Sequence, residues 1–462
     1  MAIAETEIGA HLDQLRVSKF HRNVLLLIAG GLLLDSFDIY LAGGVLAALV
    51  KLHWVAANDV QYFLSATFVG LFLGAATAGY LGDRLGRRTM YQTNLLIFGL
   101  ASIAAAFSPN YQVLIVLRAI MGFGLGAELV LGYATFAEFI PAQVRGTWNS
   151  WLGVVANGAS LVAAVASFLV IPNLGWQAMF ILVGVPSLIV WWFRRALPES
   201  PRWLVTRGRM DEALDVVARI DQETGVKPLE RQEVRPVASN PGRFIDLFSS
   251  RLWARSILAM VLYSVSIVGI YGFTTWLPTV LVSQGVSVVK SLGVTLLITA
   301  GSAVGGLVTS AFGDRVNSKW FLVVSSVLTA IAGVAYAYTR NPVAVVVVGF
   351  VFVTIMYAFT VMEAAVYIPA LFPNNVRMRG VALAQATARL VGVVLPFGVA
   401  AVLTAYSFGG VVIAIGIVFL LTAVLVAVLG VDTTKRSLEE LGQVTGAPGA
   451  QGSPARGEVH GA

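Results

Sequence analysis

Charged side chains occur inside several long apolar segments of this sequence, where they are costly if those segments cross a membrane. In mid-span, a charged residue costs roughly 2.5–3.5 kcal/mol on insertion scales. Such a side chain must face a cavity or a partner, so each one is a candidate functional residue. The six residues of this kind are Asp35, Asp38, Arg118, Glu128, Glu363 and Arg389.

Three of these acids and one base lie in the first half of the chain, at depths that suggest pairs. Asp35 and Asp38 are three residues apart, so they share a helix face. At ~1.5 Å per residue, Arg118 lies nearer in depth to Asp38, and Glu128 lies nearer to Asp35. Four embedded acids share two bases, so at least one carboxylate lacks a charged partner, and burial favours its protonated form. We hypothesise that these three acids carry a coupled proton and that Arg118 tunes them.

The two embedded charges of the second half, Glu363 and Arg389, lie at similar depths of about 15 Å from the same end of their segments. One interpretation is a direct ion pair with a purely structural role. The other is a binding site for a small organic anion, because the planar fork of an arginine suits a carboxylate. Nearby aromatic and amide side chains would add surface and hydrogen bonds. The residues predicted to form this site are Arg389, Glu363, Tyr271, Trp276, Asn157 and Gln385.

The segments that carry these residues are long enough to cross a bilayer, because a helix needs about 20 apolar residues to span ~30 Å of hydrocarbon. Hydrophobic residues make up 57% of the chain and charged residues 12%, against roughly 25% charged in soluble domains. We therefore predict an all-α membrane protein with twelve transmembrane helices. The predicted spans are 22–50, 60–82, 89–107, 111–139, 147–171, 176–196, 253–283, 290–313, 319–338, 342–371, 379–406 and 408–430.

Two short phrases each occur twice, separated by about half the chain length. GDR stands at Gly82–Arg84 and at Gly313–Arg315, and P-x-x-V-R stands at Pro141–Arg145 and at Pro373–Arg377. An apolar chain whose halves repeat each other is typical of a secondary transporter, here with two pseudo-symmetric six-helix bundles. The embedded charges are not repeated, so the duplicated residues build the scaffold and the embedded charges belong to the site.

Lysine and arginine concentrate on one side of the predicted helices. If both termini are cytoplasmic, the loops on the opposite side hold only Lys51, Lys290 and Arg340. The positive-inside rule therefore predicts that orientation. The predicted units are an N-terminal bundle 1–196, a cytoplasmic loop 197–252 with an amphipathic helix at 210–220, a C-terminal bundle 253–430 and a disordered cytoplasmic tail 431–462.

Several motifs are similar to those of the major facilitator superfamily, over essentially the whole chain. GYLGDRLGRR at Gly79–Arg88 resembles the family's loop motif between helices 2 and 3. RAIMGFGLG at Arg118–Gly126 resembles the helix 4 motif of proton-linked members. PESPRWL at Pro198–Leu204 is similar to the phrase after helix 6 in sugar and metabolite:proton symporters. DSFD at Asp35–Asp38 resembles the paired-aspartate motif of aromatic-acid:proton symporters. The resemblance implies a symporter of those branches.

Two departures narrow the resemblance. The segment SVSIVGIYGF at 264–273 lacks the glutamine-rich helix 7 signature of sugar porters, which counts against a hexose. The predicted fifth helix has no proline before Pro172. It therefore lacks the Gly-Pro motif of antiporters, which counts against drug efflux.

In this family the loop motif and neighbouring charges act as a conformational latch. The resemblance implies that Asp83 faces the positive N-terminus of a helix in the other half. For Arg87 and Arg88 the alternative is that they only fix topology. The residues implied in the latch are Gly79, Asp83, Arg84, Arg87, Arg88, Glu138, Arg145, Glu199, Arg202, Asp314, Arg315 and Arg377.

The sequence therefore predicts a secondary active transporter of the bacterial inner membrane that imports a small organic acid, such as an aromatic or nicotinate-like carboxylate, by proton symport. One alternative is a neutral or cationic metabolite, a sugar or an amine, and another is a membrane sensor that does not transport. An enzyme is not expected, since there is no cysteine and the four histidines form no metal-ligand pattern. We expect substrate, protons and the bilayer as partners, with no cofactor, no nucleic acid and a monomeric chain.

Overall fold

The computed structural model describes residues 8, 11–13, 15–57, 59–224, 244–250, 252–312, 316–373 and 376–432. This part of the chain contains helices and no strands. Between residues 19 and 224 the helices are α1 (Lys19–Lys51), α2 (Val60–Leu85), α3 (Arg87–Ala106), α4 (Tyr111–Phe139), α5 (Ala142–Leu174), α6 (Gln177–Arg194), α7 (Pro201–Thr206) and α8 (Met210–Thr224). The amphipathic helix predicted at 210–220 is thus present as α8.

The next described element is a 3₁₀ turn at Phe244–Phe248. The helices after it are α9 (Trp253–Phe273), α10 (Leu277–Ser283), α11 (Val288–Phe312), α12 (Ser318–Tyr338), α13 (Pro342–Val361), α14 (Ile368–Ala370) and α15 (Arg377–Leu429), with a π-helical turn at Met362–Tyr367 between α13 and α14. The span predicted at 253–283 is therefore interrupted between α9 and α10. Pro278 lies in the first turn of α10 and lacks the N–H that a continuous helix would use.

Ten helical stretches in the described residues are long and apolar enough to cross a membrane. The longest of them, α15, has 53 residues, so a straight helix would reach ~80 Å, more than twice the thickness of the hydrocarbon core. It is broken at Ser407, whose backbone has φ 70° and ψ 178°. Ser407 lies between the predicted spans 379–406 and 408–430, so α15 consists of two consecutive helical segments.

Local sequence signals fix where several helices begin. Asn110 accepts a hydrogen bond from the backbone N–H of Val113, and Asn317 accepts one from Trp320. Asn341 accepts two and is followed by a proline in the first turn of α13. Asparagine side chains satisfy the free N–H groups of a first turn, so these positions end the loops and start the helices.

The helices pack in two groups, one within residues 19–194 and one within 253–429, which we call the first half and the second half. In the first half the main contacts are α2 with α4, α3 with α4, α1 with α5 and α3 with α6. In the second half they are α9 with α15, α11 with α13 and α12 with α15. The halves meet where α15 contacts α2, α11 contacts α5 and α10 contacts α1. We call the end of the molecule that carries Lys19, Arg84 and Arg194 the basic end.

Helices α2 and α4 approach closely through two pairs of glycines. Gly70 and Gly74 lie one turn apart on α2, and Gly122 and Gly126 lie one turn apart on α4. A Cβ added at any of the four would collide with a backbone carbonyl of the facing helix. This small-residue packing is typical of membrane helices, where close backbone contact replaces the hydrophobic effect. It holds α4, and with it Arg118 and Glu128, against the neighbouring helices.

We expect Gly122→Leu to lower the thermal unfolding temperature, because the added side chain would separate α2 from α4. Overpacking a close contact costs about 1–3 kcal/mol. The matched control is Gly306→Leu, since a Cβ added at Gly306 meets no heavy atom within 4 Å. Unfolding followed by tryptophan fluorescence in detergent would show the difference, and equal midpoints for the two variants would contradict this account of the packing.

Candidate functional site

Arg118 and Asp38 form an ion pair inside the first half. Arg118 Nη1 lies 2.6 Å from Asp38 Oδ2, and both side chains are fully buried. Arg118 also donates from Nη2 to the backbone carbonyl of Asp38 at 2.8 Å and from Nε to Thr67 Oγ1 at 2.9 Å. Its guanidinium lies over the ring of Phe63. This contact agrees with the predicted pairing by depth, and it leaves few donors of Arg118 unused.

The second ion pair joins Glu128 to Arg194, a residue that the sequence did not place in the site. Arg194 Nη1 lies 2.5 Å from Glu128 Oε1, and both side chains are buried. Arg194 also donates from Nη2 to the carbonyl of Leu27 at 2.8 Å, and its guanidinium lies 4.0 Å from the centroid of the Tyr91 ring. Glu128, which the sequence places nearest in depth to Asp35, therefore also has a base beside it, because the last residue of α6 turns inward.

Asp35 lies beside this second pair, facing Glu128, Arg194 and Asp38. Neither of its carboxylate oxygens has a hydrogen-bond partner among the described residues. Gly31 lies one turn before Asp35 on the same face of α1, and a Cβ there would collide with the Arg194 guanidinium and the Glu128 carboxylate. That glycine on the acidic face was the available sequence signal that a bulky group approaches α1. We call Asp35, Asp38, Arg118, Glu128 and Arg194 the charge cluster.

Glu363 and Arg389 do not pair, which corrects one of the two sequence interpretations. Glu363 is fully buried in the π-helical turn, and neither of its carboxylate oxygens has a hydrogen-bond partner in the described part of the chain. It faces Ser266 of α9, whose hydroxyl lies 3.0 Å from that of Thr360. A π turn holds an extra residue and changes the direction of the side chains it carries. The pairing argument assumed a regular α-helix there.

Arg389 is partly buried on α15 and lies beside two tyrosines of α9, Tyr263 and Tyr271. Gln385, one turn earlier, donates to the Tyr263 hydroxyl at a long 3.4 Å. No acidic side chain pairs with Arg389 among the described residues. The predicted residues Arg389, Gln385 and Tyr271 therefore lie in one region, and Arg389 keeps its charge available for an anion.

A cluster of aromatic side chains joins the two halves. Tyr271 is the one member of this aromatic group that was predicted from the sequence as a site residue. Tyr271 stacks on Tyr40 of α1 with ring centroids 6.0 Å apart and meets Phe68 of α2 edge-on at 5.1 Å. Tyr40 in turn accepts a hydrogen bond from the hydroxyl of Tyr357 at 3.0 Å. These contacts join residues far apart in the chain, so the sequence carried no local signal for Tyr40, Phe68 or Tyr357.

Two small cavities lie between the halves next to this aromatic group. The first connects the charge cluster with the second half, since Thr67, Arg118, Tyr271 and Trp276 line it together. The lining of the second includes seven residues that carry hydroxyl groups, which are Tyr40, Ser160, Ser167, Thr274, Thr275, Thr295 and Thr299. Trp276 is buried, as expected of a lining residue, whereas Phe273 packs in an aromatic core with Tyr336, Phe352 and Phe408.

Four of the predicted latch residues have described side chains at the basic end. Glu199 accepts a hydrogen bond from the backbone N–H of Arg88 at 3.0 Å, and the Arg88 guanidinium donates to the carbonyl of Arg195 at 2.6 Å. Arg84 is exposed, and Arg377 is partly buried. Asp314 and Arg315 lie outside the described residues, as do the side chains of Gly79, Asp83, Arg87, Glu138, Arg145, Arg202 and Asn157.

The described part of the chain contains no set of side chains that could bind a metal ion. No three residues of the types histidine, cysteine, aspartate and glutamate are grouped there so that they could hold a metal ion. The arrangement offers instead ionisable groups in pairs, one arginine next to aromatic rings, and cavities between two halves.

Comparison with known proteins identifies the scaffold. The inner membrane metabolite transport protein YdjE of Escherichia coli is 35% identical over 446 residues, covering 95% of this chain and 99% of that protein. The niacin transporter NiaP of Acinetobacter baylyi is 31% identical over 441 residues, covering 94% and 100%. A partially occluded, inward-open structure of the xylose transporter XylE from E. coli superposes with a TM-score of 0.72 at 17% identity, covering 91% and 100%.

These relatives are named as transporters and not as enzymes, and the name of YdjE together with the many apolar helices agrees with the predicted bacterial inner membrane. The solved structures that share the fold include one described as a major facilitator superfamily symporter. The family described as "Sugar (and other) transporter" matches residues 24–444, nearly the whole chain. The protein therefore belongs to the family described as sugar (and other) transporter, and it shares the fold of solved major facilitator superfamily structures.

Proposed function

We propose that this protein imports a small organic acid, of the aromatic or nicotinate type, together with protons. The observation that carries the proposal is the position of Arg118, which is paired with Asp38 and also lines a cavity between the halves with Tyr271 and Trp276. One side chain thereby connects a proton-binding carboxylate with the space in which a substrate would lie.

The scaffold of this proposal is two six-helix bundles with both termini in the cytoplasm. Counting α3 and counting α15 as two spans gives twelve crossings. Lysine and arginine residues concentrate at the end of the molecule that carries Lys19, Arg84 and Arg194. The positive-inside rule therefore assigns this basic end to the cytoplasm. The bundles would be 1–196 and 253–430, joined by a cytoplasmic loop at 197–252 and followed by a cytoplasmic tail at 431–462, and the chain would act as a monomer.

Proton and anion binding are linked through Arg118 in this mechanism. While Asp38 is charged, its carboxylate holds the guanidinium at 2.6 Å. When Asp38 accepts a proton, that attraction is lost and Arg118 can pair with an anion in the adjoining cavity. Since substrate binding is then favoured by protonation of Asp38, the two ligands would cross the membrane together.

The second half would supply the remaining contacts for the anion. Arg389 has no acidic partner among the described residues and lies beside Tyr263 and Tyr271, so a carboxylate with an aromatic ring would find both charge and ring surface there. The names of two relatives from different genera, a niacin transporter and a putative niacin/nicotinamide transporter, support a nicotinate-type substrate. Glu363, Trp276, Asn157 and Gln385 complete the proposed site.

A second candidate is a neutral polyol such as a sugar. The observation that favours it is the hydroxyl-lined cavity between Tyr40, Ser160 and Thr299, which offers hydrogen bonds and no charge. The latch proposed from the family resemblance would serve either substrate. In it Asp83 and the neighbouring charges, among them Glu199 beside Arg88, would close the basic end.

The proposal predicts proton uptake on addition of a carboxylate to proteoliposomes. Nicotinate, benzoate, acetate, xylose and choline would be tested in turn, with a pH-sensitive dye trapped inside. We expect internal acidification with nicotinate or benzoate, because the released guanidinium of Arg118 and the charge of Arg389 both favour an anion. A response to xylose or choline alone would contradict the organic-acid assignment.

The same assay predicts the effect of Asp38→Asn. We expect this variant to lose proton-driven accumulation and to retain exchange of labelled substrate across the membrane, because asparagine imitates the protonated state. Asp59→Asn, at an exposed position before α2, is the matched control and should behave as the unmodified protein. Full accumulation by Asp38→Asn would refute the assigned role.

Arg389→Ala should raise the apparent KM for the transported acid about tenfold or more, since hydrogen bonds to charged groups contribute about 1.5–3 kcal/mol. Arg340→Ala, which removes an exposed arginine from a loop, should leave KM unchanged. Initial uptake rates over a range of substrate concentrations measure both variants. An unchanged KM for Arg389→Ala would remove Arg389 from the binding site.

A further inference from the structure

A third cavity lies at the basic end, and it is inside the first half rather than between the halves. Its lining comes from α3, α4, α6 and the segment after α6, and includes Arg88, Tyr91, Gln92, Thr135, Arg194 and Glu199. Arg194 belongs at the same time to the charge cluster, where it pairs with Glu128. The cavity therefore begins at the charge cluster and extends toward the basic surface.

Polar side chains face this cavity without protein partners. Thr135 is only 6% exposed, yet its hydroxyl has no hydrogen-bond partner in the described part of the chain, and the side-chain carbonyl of Gln92 has none either. Buried polar groups are nearly always satisfied by protein or by ordered water. The two groups are therefore positioned to bind water inside the cavity.

The positions of these residues along their helices show that the cavity extends from the side of Glu128 toward the basic end. Thr135 lies seven residues after Glu128 on α4, which is two turns further toward the basic end, or about 10 Å. Seven residues bring the chain back to the same helix face. At the far side of the cavity Glu199 accepts hydrogen bonds from the backbone of Arg88 and Ser200. One carboxylate, Glu199, thus lines the cavity on the side of the basic surface, and another, Glu128, pairs with Arg194 on the side of the charge cluster.

The charges around Asp35 favour movement of a proton along the cluster. Asp35 is faced by Glu128 of α4, Arg194 of α6, Asp38 on its own helix, and Tyr91 of α3. Two carboxylates share the single guanidinium of Arg194, so one of them favours the protonated form. When a proton passes from Asp35 to Glu128, Asp35 becomes negatively charged and Glu128 becomes neutral. The net charge beside Arg194 therefore stays constant.

We propose that the coupled proton leaves the charge cluster through this cavity, by a passage within the first half that is separate from the substrate's path between the halves. The proton would move from Asp38 to Asp35 and Glu128, and from there through water held by Thr135 and Gln92 to the basic surface near Glu199. The inference rests on the proposed proton coupling.

The first test asks whether water reaches the cavity, and it does not depend on the substrate. The chain contains no cysteine, so Thr135→Cys introduces a single thiol. We expect Ag⁺, which is small enough for a space that holds about one water, to block this thiol from the basic side in inside-out vesicles. Leu100→Cys on the exposed face of α3 is the control that should stay unblocked, because its thiol would face lipid. A Thr135→Cys that resists the reagent would overturn the proposal.

The second test asks whether the cavity carries protons. In the double variant Gln92→Met/Thr135→Val the passage loses both water-binding groups at nearly constant volume. We expect nicotinate-driven proton flux, or that of the most active carboxylate in the panel, to fall about tenfold, as a barrier raised by about 1.4 kcal/mol would give. Exchange of labelled substrate should change less than about twofold, because exchange needs no proton release. Thr93→Val, at an exposed position next to Gln92 on α3, is the matched control.

The outcomes are distinguishable. Loss of proton flux with normal exchange supports the passage, whereas unchanged proton flux in the double variant overturns it and leaves the symport proposal intact. A parallel loss of both activities would indicate a structural effect and also overturn it. If the unmodified protein moves no protons with any carboxylate, this measurement refutes the proposed proton symport. The proposed passage is then refuted as well, because it rests on proton symport.

Discussion

The buried arginines of the first half determine how its helices pack and what its acids can do. A charge in hydrocarbon must find a partner, and Arg118 and Arg194 each satisfy several groups at once. Arg118 ties α4 to the side chain and backbone of Asp38 and to Thr67, so three helices are held at fixed distances. Arg194 reaches from the last turn of α6 to Leu27 and Glu128, which places α6 against α1 and α4. Without Arg118, Asp38 would lie buried in α1 with no charged partner among the contacts described above. The arginines therefore connect the helices of the first half and provide the positive charge beside its buried acids.

The two halves resemble each other in scaffold and differ in charge. Glycines allow close approach in both, where α2 meets α4 and where α11 meets α13, since a Cβ at Gly301 or Gly305 would collide with backbone of the facing helix. The first half then adds three acids and two arginines, whereas the second half adds Glu363 in a π turn and Arg389 beside tyrosines. A duplicated fold thus carries two different arrangements of charge, with acids paired to arginines in the first half and an arginine beside tyrosines in the second. The aromatic contact between Tyr40 and Tyr271 lies where the two meet.

Much of this arrangement could be predicted from the sequence, and what could not has identifiable causes. The helix lengths follow from the apolar runs, and the break at Ser407 follows because one run is too long for a single crossing. The pairing of Arg118 with Asp38 follows from depth alone. Arg194 was missed because the last residue of a helix can point into the loop or back into the bundle, and only the packing decides which. The choice between pairing and separation of Glu363 and Arg389 stayed open because the π turn at Met362–Tyr367 has no pattern that distinguishes it from a regular helix. The contact between Tyr40 and Tyr357 depends on how the halves dock.

A proton passage within one half has a consequence for the order of events. If the proton left through the cavity between the halves, its release and that of the substrate would both wait for the same opening. With the passage beside Thr135, Asp38 can lose its proton to Asp35 while the substrate still lies against Arg118. The newly charged Asp38 then competes for the same guanidinium at 2.6 Å, which weakens the hold on the anion. Deprotonation would therefore drive substrate release, and the ion pair between Asp38 and Arg118 would prevent protons from leaking in the absence of substrate, because closing it restores the charged and unreactive form of the site.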